Sequence, residues 1–302
     1  AWKLSTVIPI PKNSNPAVPN DLRPVALTSL VMKTLEKIIK SVILLTVEPL
    51  LDPLQFAYRA RKGVEDAKIF ILEKLYKHLE VPKTHARLLF ADFSSAFNFM
   101  QPHILLNKLS VDFKLAPQLV SQVADFLCNR SQQVFVNGRF SQMQTTNTGS
   151  PQGCCLSPLL YILYTDDCRS KYENRYLVKF ADDSALLSLL FDAQEEHGPV
   201  LNNFVDWCDS AYLELNVSKT QEMIIDFRRN KRSPGKTVIH NQEVETVSNY
   251  KYLGTIFDDK LAWDVNAEAV SKKCQQRVYF LRKLNSFGVD KTILTLFYKF
   301  LY

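Results

Sequence analysis

Apolar and polar positions along this 302-residue chain change period several times. Residues 1–25 are extended and rich in proline, with Pro9, Pro11, Pro16, Pro19 and Pro24 withholding backbone donors. From Thr28 to Leu50 apolar residues recur at helical spacing (Leu30, Val31, Leu35, Ile38, Ile39, Val42), which predicts a helix closed by Pro49 and Pro53. A second helix is predicted from Val64 to His78. Helical spacing returns over Pro102–Leu109, Pro117–Leu127, Ser157–Tyr164 and Leu201–Ala211, and again from Val265 onward. Short apolar runs predict strands at Leu88–Ala91, Val134–Val136, Tyr176–Phe180, Ala185–Leu190 and Glu222–Phe227, with a further hairpin around Tyr250–Phe257. Asn137-Gly138 is a hairpin turn signal. Strands and helices alternate irregularly, an α+β pattern and not a regular βαβ array.

Two of these runs end on carboxylates. Asp92 follows Leu88-Leu89-Phe90-Ala91, and Asp182-Asp183 lie between two apolar strands. Each has a plain reading: aspartate is common in turns. Together they read differently. A carboxylate at a strand end, facing a hairpin tip with two more, supplies the hard oxygens that Mg²⁺ prefers. Three like charges drawn together for structure alone would repel.

Composition changes this picture little. Lys and Arg total 37 against 31 Asp and Glu, a formal charge of +6, which suits a polyanionic partner without requiring one. Basic residues cluster at Arg228, Arg229, Lys231, Arg232 and Lys236, and at Lys272, Lys273, Arg277, Arg282 and Lys283. Each cluster reads as a solvated face unless it flanks a catalytic cleft, where it would meet phosphates. The six cysteines form no CxxC pair and no disulfide framework, and reduced thiols inside a cell are expected. No apolar run reaches membrane-spanning length. The chain starts without Met and stops inside an apolar segment, so a fragment of a longer protein is expected.

The motifs resemble those of reverse transcriptases, most closely the enzymes of non-LTR (LINE-type) retrotransposons. Leu89–Phe97 (LFADFSSAF) is similar to the first aspartate motif of that family, and Phe180-Ala181-Asp182-Asp183 to its central carboxylate motif. Ile8–Lys12 and Leu22–Thr28 resemble its fingers motifs, Gln55–Arg59 its next block, and Ser150-Pro151-Gln152-Gly153 its nucleotide-pocket loop. Leu215–Thr220 and Tyr252-Leu253-Gly254 look like its later palm motifs. The likeness covers nearly the whole chain. It departs at Asn98-Phe99-Met100, where relatives usually carry Asn-Thr-Ile or Asn-Thr-Val.

The resemblance implies a right-hand polymerase fold: fingers over residues 1–80, a palm with interleaved fingers elements over 81–260 (an antiparallel sheet packed on helices), and the start of a truncated helical thumb over 261–302. It implies RNA-directed DNA synthesis, with deoxynucleotides added to a primer 3′-hydroxyl by two-metal catalysis in the service of retrotransposition. Asp92, Asp182, Asp183 and the Phe93 carbonyl would hold two Mg²⁺ ions (Mn²⁺ as substitute). Phe97, five residues past Asp92, would exclude a ribose 2′-hydroxyl; the alternative is a core ring. Gln152 and Gly153 would shape the nucleotide pocket, Arg23 and Lys12 would meet the triphosphate, and Lys219 would protonate the leaving pyrophosphate. Tyr252, Leu253 and Gly254 would form the primer grip. An RNA template, a DNA primer and dNTPs are the implied partners, with cytoplasmic synthesis and nuclear action; oligomeric state stays open. An RNA-templated RNA polymerase shares this logic but not the Phe97 position. A catalytically inactive nucleic-acid-binding relic of a retrotransposon is the rival from another class.

Overall fold

The prolines of the opening segment decide how it pairs. In the computed structural model, which describes residues 3–191, 197–229 and 235–301, β1 (Ser5–Pro11) runs antiparallel to β2 (Leu22–Leu27). On its other side β1 meets a partner only over Ser5–Val7, so Pro9 and Pro11 fall where no second ladder needs their missing N–H. α1 (Leu30–Val47) follows, capped by the Ser29 hydroxyl, which accepts from the Met32 amide; it ends three residues before the expected Leu50, where Pro49 lies in a 3₁₀ turn. Then come α2 (Val64–Leu79) and β3 (Thr84–Ala91), the latter twice as long as the apolar run that announced it. α3 (Ala96–Phe99), α4 (Pro102–Val111) and α5 (Pro117–Leu127) lead to β4 (Arg130–Val136). Asn137 and Gly138 turn β4 into β5 (Arg139–Phe140), both at positive φ as the sequence signal requires. β6 (Gln144–Thr146) and α6 (Ser157–Tyr164) precede the central hairpin of β7 (Arg175–Phe180) and β8 (Asp183–Phe191). α7 (His197–Ser210) and β9 (Gln221–Asp226) follow. Then come the two-residue strands β10 (Val238–Ile239), β11 (Gln242–Glu243) and β12 (Glu245–Thr246), and the hairpin of β13 (Asn249–Tyr252) and β14 (Thr255–Asp258). The chain closes on α8 (Asp264–Ser286) and α9 (Lys291–Leu301).

Two five-stranded sheets result. The first has the order β2-β1-β4-β5, with β6 on β4, and joins the opening segment to strands more than a hundred residues later. The second has the order β12-β9-β3-β8-β7 and carries the site. All eight residues of β3 are buried, because both faces of the second sheet are covered. One face packs Leu88, Phe90, Val178 and Leu187 against α2 and the β13–β14 hairpin. The other packs Leu89, Leu177 and Leu186 against α7. A third core lies among α1, α4, α5 and α6. A buried ion pair ties the second sheet to the loop before β10: Arg87 grips Glu222 with two hydrogen bonds of 2.9 and 2.8 Å and also donates to Thr237 and the Gly235 carbonyl. All six cysteines are free. Among the described residues, no helix is long and apolar enough to cross a membrane.

Candidate nucleotide-addition site

The register of the second sheet sets where the three aspartates stand. Ala91, the last residue of β3, faces Ser184 of β8, so Asp92 leaves its strand at the end where the β7–β8 hairpin turns. Phe180 pairs with Asp183, leaving a two-residue turn of Ala181 and Asp182. Such a turn needs positive φ at its first position, and Ala181 takes it, at 58°. A non-glycine residue there costs about 1–2 kcal/mol. Asp92 is itself anchored from behind. Its amide donates to Thr220 Oγ1 (3.2 Å), and its carbonyl accepts from the Asn216 amide (2.8 Å). Phe93 bridges to Leu215, and the Ser94 amide donates to the Glu214 carbonyl. The Asn216–Thr220 turn thus brings Lys219, exposed, beside Asp92.

These groups act on one another. Burial raises the pKa of Asp92; Lys219 and Lys12 oppose the rise, while Asp182 adds to it. The Asp183 carboxyl reaches solvent, yet the atoms packed around it, then the charges of Asp182 and Asp92, push its pKa up to about 6. A divalent cation would reverse the sign of that mutual repulsion, and the donors are hard oxygens. Among the described residues, no three His, Cys, Asp or Glu side chains already converge on a point where an ion could sit, so closing on one takes side-chain rotation. The donor chemistry fits Mg²⁺ or Mn²⁺.

A cleft of about 890 Å³ opens over this end of the sheet. It gathers Asp92, Phe93 and Asp182 from the end of the second sheet, Phe97 from α3, Lys219 from the turn behind, Gln152 and Gly153 from the pocket loop, Arg23 from β2 and Lys12 from just past β1. Asp183 and the Tyr252–Gly254 segment do not line it. Phe97 is half-buried and stacks on Tyr161, with ring centroids 4.6 Å apart, so it is at once a core ring and a wall of the cleft. The pocket loop is stitched on two sides. The Ser150 amide donates to the Phe97 carbonyl (2.8 Å), and the Ala26 amide to the Gln152 carbonyl (2.7 Å). Gly153, at φ 103°, leaves no space for a side chain, because a Cβ there would stand 2.8 Å from the Ala26 carbonyl. The close approach this glycine permits within the chain is to β2.

The β13–β14 hairpin stands on the opposite face of β3 from α7. Tyr252 pairs with Thr255 across a turn of Leu253 and Gly254, both at positive φ (45° and 85°). Tyr250 stacks flat on Phe90 at 3.8 Å, and Tyr252 is buried beside it. Burial raises both tyrosine pKa values, with Asp183 adding to each, which places this hairpin near the aspartates.

Several supports carry no obvious sequence signal. Asp52–Phe56 lies against β7: the Lys179 amide donates to the Leu54 carbonyl, and the Phe56 amide to the Lys179 carbonyl, both at 2.9 Å. Lys179, which strand alternation gives no reason to bury, forms a buried ion pair with Asp52 (2.8 Å). Tyr58 lines the cleft, and its pKa is raised by burial and then by Asp182. Glu36, fully buried on α1, accepts from the Cys155 and Leu156 amides and so caps the start of α6. Among the described residues of the two basic clusters, none lines the cleft. Arg228 is committed to Asp226 and Lys236 to Glu243; Lys231 and Arg232 lie outside the described residues. α8 holds the second cluster and has no buried residue.

Comparison with known proteins now bears on this geometry. The family model described as reverse transcriptase (RNA-dependent DNA polymerase) matches residues 10–257. A second model, alkylated DNA repair protein alkB homolog 8, N-terminal, matches residues 263–300, the α8–α9 segment. The probable RNA-directed DNA polymerase from transposon BS of Drosophila melanogaster is 26% identical over 300 residues, covering 94% of this chain and 32% of that protein. The RNA-directed DNA polymerase from mobile element jockey of the same organism is 25% identical, covering 92% and 31%. The chain therefore spans about a third of the length of these relatives. Among solved structures, apo telomerase from Candida tropicalis, truncated from its C-terminal domain, superimposes with a TM-score of 0.58 at 11% identity, over 86% of this chain and 54% of that one. Candida albicans telomerase, in complex with a fragment of telomeric RNA, gives 0.53 at 14% identity, over 86% and 46%. The likeness to telomerase speaks to the fold alone, while the family match covers most of the chain: this protein belongs to the reverse transcriptase family.

Proposed function

We propose that the chain is the polymerase core of a non-LTR retrotransposon enzyme, adding deoxynucleotides to a DNA primer on an RNA template. The observation that carries this reading is the single cleft in which Asp92, Asp182, Phe97, Gln152 and Arg23 meet, with Asp183 on the same hairpin. Two divalent ions held by Asp92, Asp182, Asp183 and the Phe93 carbonyl would activate the primer 3′-hydroxyl and stabilise the leaving pyrophosphate. The residues of the chain supply the rest. Arg23 and Lys12 offset triphosphate charge from the first sheet. Lys219 stands where it can return a proton to the leaving group, worth roughly 10²–10⁴ in rate. Phe97, backed by Tyr161, closes the space a 2′-hydroxyl would need. The β13–β14 hairpin steadies the primer end, through contacts blind to sequence. Synthesis in the cytoplasm and action in the nucleus follow from the same reading.

Primer extension with Mg²⁺ on RNA and DNA templates tests it. Asp182→Asn and Asp183→Asn should each lower extension at least about a thousandfold, the scale on which lost charge stabilisation acts. Undiminished extension by both variants sinks the mechanism. Extension by neither these variants nor the wild-type chain, with primer–template binding intact, assigns it to the inactive binding class. Phe97→Val should raise ribonucleotide incorporation relative to deoxynucleotide, and an unchanged ratio removes the steric role from Phe97.

A further inference from the structure

The turn that carries Asp182 is built on a conformation its own sequence disfavours, and a neighbouring segment holds it there. Ala181 sits at φ 58°, a region an alanine enters only when its surroundings impose it. Gln55 is 1% exposed. Its side-chain oxygen accepts from the Ala57 amide at 2.9 Å and from the Ala181 amide at 3.4 Å. Two backbone donors on one side-chain oxygen fix which end of the amide is which. The other end, Nε2, is buried with no partner among the described residues. Burying an unsatisfied donor is costly, and a Met or Leu would avoid the cost. The residue that is present instead keeps an acceptor under the hairpin turn. Its backbone is held in place independently, by the paired bonds to Lys179 and by the Asp52–Lys179 ion pair. Lys179 in turn donates to the Thr165 and Cys168 carbonyls at 2.7 Å, so the brace is anchored in the protein interior.

We infer that Gln55 is a positioning residue for nucleotide addition: by accepting from the Ala181 amide it locks the left-handed turn that aims Asp182 and Asp183. Gln55 touches neither nucleotide nor metal in this role; it acts through the backbone of the turn. The inference rests on the polymerase reading of the same site.

Steady-state primer extension and amide hydrogen exchange, on the full chain, test it together. Gln55→Met keeps the side-chain length and removes the acceptor. Its kcat should fall roughly ten- to a hundredfold, the penalty expected when catalytic groups are misplaced by an ångström or less, with the deoxynucleotide KM within about twofold of wild type. Exchange at the Ala181 amide should speed up at least about tenfold, while Leu88 and Leu89 in β3 keep their rates. Adding Ala181→Gly to this variant should recover kcat by at least about fivefold, since glycine takes positive φ without a brace, and should leave exchange at position 181 fast. A general loss of packing would not be rescued by a glycine in the turn. Should Gln55→Met also loosen β3, Gln55→Asn, which keeps the polarity and withdraws the oxygen by one methylene, takes its place with the same expectations. Wild-type kcat in a variant with fast exchange at Ala181, or no recovery on adding Ala181→Gly, overturns the inference. A wild-type chain that adds no nucleotide overturns the polymerase reading instead. The brace is then judged on exchange alone, and unchanged exchange at Ala181 in Gln55→Met defeats it.

Discussion

Two hairpins flank the same strand, β3, and both open their two-residue turn with a non-glycine residue at positive φ, but they differ at the second position and in what supports them. The β13–β14 turn uses Leu253-Gly254, with glycine at φ 85° and open space around where a side chain would be. Its second position is a glycine suited to the shape, while Leu253 at the first takes φ 45° and carries the same left-handed cost as Ala181. The β7–β8 turn uses Ala181-Asp182, pays conformational strain at Ala181, and crowds carboxylates at its tip. It has no glycine at either position, and Gln55, next to the Asp52–Lys179 ion pair, supports it from outside the hairpin. The β13–β14 turn presents no charge and can place a glycine at its second position. A turn that must present two adjacent charges gives up that glycine and depends on distant support, the pattern expected where function overrides foldability.

This contrast can be broken at either hairpin. Gly254→Val should cost about 1–2 kcal/mol of stability, because it forces a β-branched residue into positive φ. It should also raise the KM for primer more than that for deoxynucleotide. Urea melts and primer titrations check both, and an unchanged melt would mean the turn relaxes to another type. A subtler difference appears with pH. The Asp183 carboxyl titrates near 6 in the folded chain against 3.8 when free. Between those values the folded state holds the extra proton, so stability from this group is present below about 3.8 and lost as pH climbs through about 6. Without divalent metal, Asp183→Asn should therefore gain on wild type across that window, as judged by the difference between the two melts. A gap that stays level with pH would show the carboxyl titrating normally. No counterpart is expected at the β13–β14 turn, which has no ionisable group.

Much of this was legible in the chain. Apolar runs ending on Asp92 and on Asp182-Asp183 mark the strands of the candidate site, and α6 begins and ends where its spacing predicts. The two proline-spaced motifs at the start read correctly as extended. What escaped detection was partnership. β1 pairs in parallel with β4, a connection that local periodicity cannot carry. The Gln55–Arg59 block was visible as a motif, but its role beneath the Ala181 turn depends on contacts across more than a hundred residues. Lys179 and Glu36 look like solvated charges in sequence, and their burial makes sense only with Asp52 and the α6 N-terminus in place. The apolar pattern puts Asp183 between strands, but it opens β8, which is why it stands apart from the cleft wall that Asp182 helps to form.

The cap that Glu36 places on α6 also bears on how the chain assembles. The helix that carries this carboxylate is finished long before its partners are: Cys155 follows it by 119 residues. Until they arrive, one face of α1 presents an acid that cannot be buried without severe cost, so α1 cannot dock fully early. Contacts that span such distances slow folding, because loop closure must precede any reward. Full burial of α1 therefore depends on the Cys155 and Leu156 amides being in place to donate to the carboxylate. One buried carboxylate thus makes the docking of α1 and the ordering of the segment before α6 a single, long-range event.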